Sequence, residues 1–148
     1  SAVKGHETSK SDALLSFLAS EDDGGLLRIE TYQNYEEKIR EKRSLFLIKF
    51  NELITKNPKI PVVGIGAAAK ANTLLTFYGL NNSYLKFITD SSPHKVGKFT
   101  PFTRIPICDD QEFEKYKRIY AIILSWNIGE TLRSNIQSIN REVEFIEL

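Results

Sequence analysis

The chain has 148 residues, with 20 basic and 19 acidic side chains, and its formal net charge of +1 gives no overall attraction to nucleic acid or to an anionic membrane surface. Its 41% of hydrophobic residues suits one compact domain, no apolar run reaches the roughly 20 residues that cross a bilayer, and we expect no secretory signal because the first residues are polar. A single cysteine, Cys108, excludes an internal disulfide and a structural zinc site made by this chain alone, so we expect a cytoplasmic setting.

Residues 1–57 predict a helical lead-in, whose start we expect to be disordered. Between Ser11 and Ala19 the apolar residues recur with a helical period behind a Ser-Asp cap, and the stretch EDDGG ends this first helix. Thr31 to Lys56 predicts one long helix with an apolar stripe on one face and the charged run EEKIREKR on the other. The stripe fits packing on the chain's own sheet as well as packing on another domain.

Residues 58–148 predict a Rossmann-like α/β domain. Short β-branched runs alternate with helical patterns, which indicates βαβ units, and the runs PVVG and YAIIL are typical of strands that are covered on both faces. We therefore predict an open, doubly wound parallel sheet of about five strands flanked by helices and preceded by two N-terminal helices. The expected strands lie near 60–64, 85–89, 104–107, 119–124 and 142–146, and the expected helices near 68–79, 110–116 and 129–139.

The stretch GIGAAAK lies between the first predicted strand and the helix that follows it. Gly64 and Gly66 permit a tight turn, the first-turn amides of the helix have no partners within it, and Lys70 adds a positive charge, so the loop suits an anion. The spacing G-x-G-x-x-x-K matches neither the dinucleotide fingerprint nor the P-loop. A tight turn with nothing bound therefore stays open beside an anion site.

Asp90 follows the second predicted strand, where dinucleotide-binding folds carry the acidic residue that holds a ribose. A helix or turn cap is the other reading. Asp90 also opens a long loop, which continues as SSPHKVGKFTPFTRIPI, and between Tyr84 and Arg104 four basic side chains stand against this one carboxylate. We expect the loop to lie beside the glycine loop, where it attracts anions, or else to be a solvated surface loop.

Trp126 and Asn127 follow the fourth predicted strand and belong to the same edge of the sheet. Trp126 could stack on a base or a sugar, and Asn127 could donate to a carbonyl or a phosphate; an aromatic plug and a helix cap are the alternatives. Cys108 is typical of a buried filler. His94 has only His6 as a second histidine, so no Ser-His-Asp or Cys-His set can be assembled.

Four segments resemble, in order and spacing, the C-terminal domain of the sugar C-methyltransferase family: GIGAAAKANTLL, Asp90 with the SSPHKVGKF that follows it, PFTRIPI and LSWN. The resemblance covers most of residues 12–146, lead-in helices included. Members of that family have a small N-terminal zinc-binding domain, a central S-adenosylmethionine-dependent methyltransferase domain and a Rossmann-like C-terminal domain, and known activities methylate a carbon next to the ketone of nucleotide-linked deoxysugars. The resemblance implies that the chain is the C-terminal fragment of a longer enzyme, as the lack of an initial methionine also indicates, and that it is inactive alone.

The resemblance also implies which residues contact the substrate. The family's glycine-alanine-lysine loop, its aspartate-proline-lysine-glycine loop and its tryptophan-asparagine pair each fall on a segment of this chain, and we add the histidine within the second motif. Ala71, Thr76, Phe77 and Val96 depart from the family's pattern, so the sugar stays open. No catalytic residue and no metal ligand is expected. The expected substrate-binding residues are Gly64, Gly66, Ala67, Ala69, Lys70, Asn72, Thr73, Asp90, Pro93, His94, Lys95, Gly97, Trp126 and Asn127.

The preferred interpretation is an accessory domain that forms one wall of a substrate cleft. It binds no cofactor itself, S-adenosylmethionine sits in the upstream methyltransferase domain of the same polypeptide, and the ligand is a small molecule like a nucleotide sugar. We expect no nucleic-acid or membrane partner and leave a homodimer open. One alternative is a stand-alone dinucleotide- or nucleotide-binding module, an oxidoreductase or a ligand sensor; another is a purely structural unit at an interdomain or dimer interface.

Overall fold

A computed structural model describes residues 11–148, so the expected disorder at the start of the chain and His6 lie outside the described residues. The chain forms two compact units, of which the first ends at Glu41 and the second spans Lys42–Leu148. The sequence-based boundary between residues 57 and 58 stays a prediction. Within the described part of the chain, no helix is both long and apolar enough to cross a membrane.

The first unit contains α1 (Asp12–Asp23) and the start of α2 (Ile29–Lys56). The Ser11 hydroxyl accepts the N–H of Leu14 at 3.3 Å, so the predicted cap begins α1. The helix continues four residues beyond the predicted end at Ala19, because the acidic run is compatible with a helix and only the glycines stop it. Gly25 has a φ of 74°, which is a left-handed conformation that few other residues adopt.

The second unit is built on five parallel strands in the order β3-β2-β1-β4-β5, which confirms the predicted α/β class. β2 and β3 are shorter than predicted. The chain before β3 pairs with residues 97–100 in an antiparallel hairpin, whereas the residues before β2 still form single backbone hydrogen bonds with β1. The strands are β1 (Val62–Ile65), β2 (Ile88–Thr89), β3 (Ile107–Cys108), β4 (Ile119–Ile123) and β5 (Val143–Ile146).

Helices cover both faces of this sheet, as the unbroken apolar strands predicted. α3 (Ala69–Tyr78) follows β1, and α4 (Gly129–Ile139) follows β4. The predicted helix at 110–116 is a 3-10 helix over Asp110–Lys115, and a second 3-10 helix, Trp126–Ile128, leads into α4.

The part of α2 that belongs to the second unit packs on the chain's own sheet. Phe46 and Phe50 are buried in one core cluster with Ala71 and Leu75 of α3, and the Phe46 ring lies edge-on to Tyr78 at 4.8 Å between centroids. The other face holds a separate cluster formed with the 3-10 helix at 110–115 and with α4. Burial of a phenylalanine stabilises a fold by roughly 1.5–3 kcal/mol, so these two contacts hold this end of α2 against the sheet.

Gly64 occupies the one position of β1 where a side chain has no room. A Cβ there would lie 2.7 Å from Cδ1 of Leu124 and 2.9 Å from Cγ1 of Ile88, in the middle of the first core cluster. Protein cores are close-packed, so a methyl group at this point displaces its neighbours. The glycine therefore serves the packing of the sheet.

We predict opposite effects for the same substitution at two glycines. Gly64→Ala should lower the free energy of unfolding by about 1–3 kcal/mol because it overpacks the core. Gly129→Ala should be neutral or stabilise by up to about 1 kcal/mol, because Gly129 has a helical φ of −55° and a Cβ there would meet Cγ2 of Ile123 at an ordinary 3.7 Å. Urea unfolding of the two variants measures both effects, and equal losses would contradict the packing argument.

Candidate functional site

The edge at the carboxyl ends of β1 and β4 is the topological switch point of the sheet. The chain leaves β1 to build β2 and β3 on one side, and then places β4 and β5 on the other side of β1. In open α/β sheets ligands bind in the crevice at this point, because the two connections diverge there. The loops that follow β1 and β4 thus supply the candidate site.

Three predicted residues meet at this edge. The ammonium of Lys70, in the first turn of α3, lies 4.7 Å from the centroid of the Trp126 ring and donates to Oδ1 of Asn127 at 3.1 Å. A cation above an exposed aromatic ring is stabilised by about 0.5–1 kcal/mol, so the three side chains form a defined group. We call Lys70, Trp126 and Asn127 the switch-point cluster.

The switch-point cluster faces solvent. Trp126 is 67% exposed, so it does not plug the end of the sheet. Asn127 does not cap α4 either, because the residue at the N-cap of that helix is Ile128, without a side-chain hydrogen bond. The two structural alternatives for this pair are therefore wrong, and the cluster presents a cation, an aromatic ring and an amide to solvent.

Asp90 accepts hydrogen bonds on both oxygens. Its Oδ2 receives the N–H of Ala67 at 2.9 Å and the ammonium of Lys95 at 2.8 Å, and its Oδ1 receives the N–H of Ser92 at 2.9 Å. The carboxylate thus joins the glycine loop to the loop after β2. The sequence left two interpretations of Asp90, a cap and a ribose contact. In the structure Asp90 caps the turn at Ser92, and its hydrogen bonds are to groups of the protein.

Burial of Asp90 favours its neutral form, but the hydrogen bonds from Lys95, Ser92 and Ala67 and the charge of Lys95 outweigh it and hold the pKa of Asp90 below its ordinary value of 3.8. The Asp90 side chain is 12% exposed, and that of Lys95 is 42% exposed. Lys95 therefore makes the largest favourable contribution, and the N–H groups of Ser92 and Ala67 add to it. Because water screens the more exposed ammonium, this contribution is smaller than that of a fully buried ion pair.

The backbone of Gly66 lies close to the side chain of Ser125. Its φ is 87°, and a Cβ there would lie 2.4 Å from Oγ of Ser125, which in turn donates to the carbonyl of Gly66 at 3.3 Å. Together with the packing of Gly64, this contact explains the glycine pattern by the protein's own structure. The tight-turn interpretation holds for Gly66, whereas Gly64 lies within β1 and does not form the turn.

The long loop that begins at Asp90, which we call the basic loop, lies beside the glycine loop only at its start. From Gly97 onward the chain turns back along β3: the N–H of Gly97 donates to the carbonyl of Ile107 at 2.9 Å, and the N–H of Thr100 donates to Ile105 at 2.9 Å. Hairpin pairing runs antiparallel to β3, so its tip lies toward the amino ends of the strands, where the N–H of Asn82 donates to the carbonyl of Thr103.

The four cations of this stretch are accordingly dispersed. Lys95 pairs with Asp90, and Lys86 lies 4.9 Å from the centroid of the Tyr116 ring. Lys98 lies in the hairpin, where its carbonyl accepts the N–H of Ile107, and Arg104 follows the tip of the hairpin. The expectation that the loop as a whole converges on the glycine loop is therefore wrong beyond Gly97, because the hairpin carries the later residues away.

Within the described part of the chain, the other predicted substrate-binding residues form no side-chain hydrogen bond with the switch-point cluster. Pro93 and His94 are exposed, and a Cβ on Gly97 would have no neighbour within 4 Å. Oδ1 of Asn72 is buried without a hydrogen-bond partner in the described part of the chain. Exposed positions on α3 are held by Ala69 and Thr73.

Two residues that shape the site were missed by the sequence analysis. Ser92 was detectable, because an aspartate followed two positions later by a backbone donor is a common turn. Ser125 carried no such signal, because its contact with Gly66 links two loops that are remote in sequence.

Comparison with known proteins agrees with this architecture. The family model described as the C-methyltransferase C-terminal domain matches residues 2–147. The chain is also similar to the protein described as C-methyltransferase NovU from Streptomyces niveus, with 27% identity over 135 residues. The match covers 91% of this chain and 30% of that relative, so the chain spans about a third of the relative's length.

We predict that Asp90→Asn lowers the stability of the chain by about 1–3 kcal/mol at neutral pH, because it removes the charge that three donors surround. The folded pKa of Asp90 is lowered, so its contribution is complete above the ordinary value of 3.8 and is lost as the pH falls through the folded value. The difference between the two proteins should therefore shrink from about pH 5 downward. Urea unfolding over this range measures it, and a gap that stays constant with pH would contradict the assignment.

Proposed function

The chain belongs to the C-methyltransferase C-terminal domain family, and from that premise we propose that it forms the substrate-binding wall of an S-adenosylmethionine-dependent C-methyltransferase. The substrate is a nucleotide-linked keto-deoxysugar or a similar molecule. The chain is inactive alone and works in the cytoplasm as part of a longer polypeptide. Its upstream partner is the methyltransferase domain, and neither nucleic acid nor membrane takes part.

The observation that carries this proposal is the switch-point cluster. An exposed indole offers a surface for a base or a sugar ring, the Lys70 ammonium offers a point charge for a phosphate, and the Asn127 amide can donate to a carbonyl or a phosphate. The cluster holds all three functions within contact of one another. A nucleotide-linked sugar carries each of the complementary groups.

Methyl transfer also needs a sulfonium donor held in line and a base next to the ketone. The glycine loop is a poor fit for the donor, because Asp90 takes the N–H of Ala67 and Ser125 fills the space beside Gly66. We place donor and base in the upstream domain. The greater length of the Streptomyces relative supports an enzyme of which this chain is one part.

The described part of the first unit supports packing against another part of the longer polypeptide. It leaves many large apolar side chains exposed, which is more apolar surface than a segment of this size usually shows to water. These side chains are Leu14, Leu15, Phe17, Leu18, Leu26, Leu27, Ile29, Tyr32 and Tyr35.

The competing interpretation, a stand-alone dinucleotide-binding module, has less support. It requires a free carboxylate at Asp90 for a ribose and a free glycine-loop amide for a pyrophosphate. Asp90 and the N–H of Ala67 bond to each other. We therefore rank this interpretation below the methyltransferase wall.

In the full-length enzyme, Lys70→Ala and Asn127→Ala should each raise KM for the nucleotide-linked keto sugar by about tenfold or more, since tenfold corresponds to the roughly 1.4 kcal/mol that one charge-assisted contact can supply. Lys59→Ala is the matched control, because Lys59 is exposed just before β1, at the opposite end of the sheet. Steady-state kinetics measure the effect. Unchanged KM and kcat in both site variants would leave the interface interpretation in the lead.

The isolated chain gives a second test, because Trp126 is its single tryptophan and reports on the cluster directly. A nucleotide sugar should change the tryptophan fluorescence in a saturable manner, whereas NAD should produce no response. The same preparation mixed with S-adenosylmethionine and the sugar should transfer no methyl group. Saturable NAD binding would favour the stand-alone module. Methyl transfer at a rate near that of the full-length enzyme would refute the proposal that the methyl donor and the base lie in the upstream domain.

A further inference from the structure

We infer that the Asp90 carboxylate takes the place of a bound anion at the glycine loop, residues 64–70. It occupies the position that loops of this type offer to the phosphate of a ligand, and there it links the glycine loop to the loop after β2. The inference does not depend on methyl transfer. It assigns Ala67, Asp90 and Lys95 to positioning, and it leaves ligand recognition at this edge to the switch-point cluster.

The start of α3 has neither an acidic residue nor a capping side chain within its own first turn. Its N-cap residue, Ala68, makes no side-chain hydrogen bond, and its first turn contains no acidic residue. Serine, threonine, aspartate and asparagine are the residues that normally cap this end, where the helix dipole is positive. Three consecutive alanines leave this end uncapped by local side chains, and Lys70 adds further positive charge.

Asp90 supplies the missing negative charge through space. Its Oδ2 accepts the N–H of Ala67, one residue before the N-cap, and accepts the ammonium of Lys95 on the same oxygen. A backbone N–H and a lysine that converge on one oxygen are the two donor types that phosphate-binding loops also use. The second oxygen, Oδ1, accepts the N–H of Ser92, so protein donors engage both oxygens of the carboxylate.

The hydrogen bond between Ala67 and Asp90 also affects the position of Lys70 in the switch-point cluster. Lys70 follows Ala67 by three positions, and the contact with Asp90 fixes the path of the chain from Gly66 into α3. A fixed helix start holds Lys70 where it reaches Asn127. Asp90 is thus a positioning residue for Lys70, and the unaltered glycine loop does not take up phosphate.

The test is a chemical rescue of Asp90→Ala by inorganic phosphate. The substitution leaves the N–H of Ala67 and the Lys95 ammonium facing an empty place, so phosphate should bind there and raise the melting temperature of the variant by about 2–4 °C in a saturable manner. Ionic strength is held constant with sodium chloride. The unaltered chain should show a much smaller rise, limited to any phosphate that the exposed Lys70 attracts, and Asp90→Ala/Lys95→Ala should lose most of the response.

Asp109→Ala is the matched control, because Asp109 is an ordinary local cap at the same sheet edge. Its side chain accepts the N–H of Gln111 at 2.9 Å and pairs with no lysine among residues 11–148. This variant should be destabilised without phosphate rescue. Equal rescue of both variants, or none of Asp90→Ala, would overturn the inference, as would a response of the unaltered chain equal to that of Asp90→Ala.

A measurement on the unaltered chain keeps the inference testable if Asp90→Ala does not fold. The amide resonance of Ala67 should stay in place during a phosphate titration, because its N–H is already bonded to Asp90. A saturable shift of that resonance would show that phosphate displaces the carboxylate, and would overturn the inference. Because neither experiment involves the sugar, failure here is distinct from failure of the Lys70 and Asn127 variants in the full-length enzyme.

Discussion

The pairing of β1 with a strand on each side is the constraint on which the second unit depends. All four residues of β1 are buried, and the strand bonds to β2 along one edge and to β4 along the other. Helices cover both faces, so a central strand of this kind has almost no free volume around it. This crowding requires a glycine at position 64. The path by which the chain leaves β1 determines which groups lie at the carboxyl ends of the strands.

The exit from β1 shows how a glycine-rich loop can serve the protein's own packing. Gly66 turns with a positive φ against Ser125 at the end of β4, and the next residue donates its N–H to Asp90 after β2. Three strands that are adjacent in space are thereby tied at one end. In dinucleotide-binding folds the loop at this place faces a pyrophosphate. In this chain it faces the carboxylate of Asp90.

The hairpin that precedes β3 separates the two halves of the basic loop. It pairs with the outer edge of β3, which would otherwise expose unpaired backbone groups. Its tip is held by the buried hydroxyl pair of Thr100 and Thr103, while Phe102 and Arg104 adopt positive φ values of 60° and 56°. Such angles are costly for residues with side chains, and the surrounding hydrogen bonds maintain them. The tip therefore lies away from the candidate site as a rigid feature of its own.

The class of the fold and the edge that carries the candidate site could both be predicted from the amino-acid sequence. Apolar runs without alternation predicted strands covered on both faces, helical periods predicted the helices between them, and parallel strands necessarily end at one edge, which brought Lys70, Trp126 and Asn127 together. These inferences rest on local periodicity and on the geometry of parallel sheets. Both are readable along the chain.

Only the tertiary structure decided which groups these residues contact. The bond from Ala67 to Asp90 joins residues 23 positions apart. Gly64 packs on Leu124, which directly follows β4, and the hairpin takes Arg104 to the opposite end of the sheet. The second half of α2 packs on the sheet through Phe46 and Phe50, a choice that its apolar stripe left open. Local sequence sets which face of an element is apolar or charged, but the partner of each group depends on which distant segment folds against it.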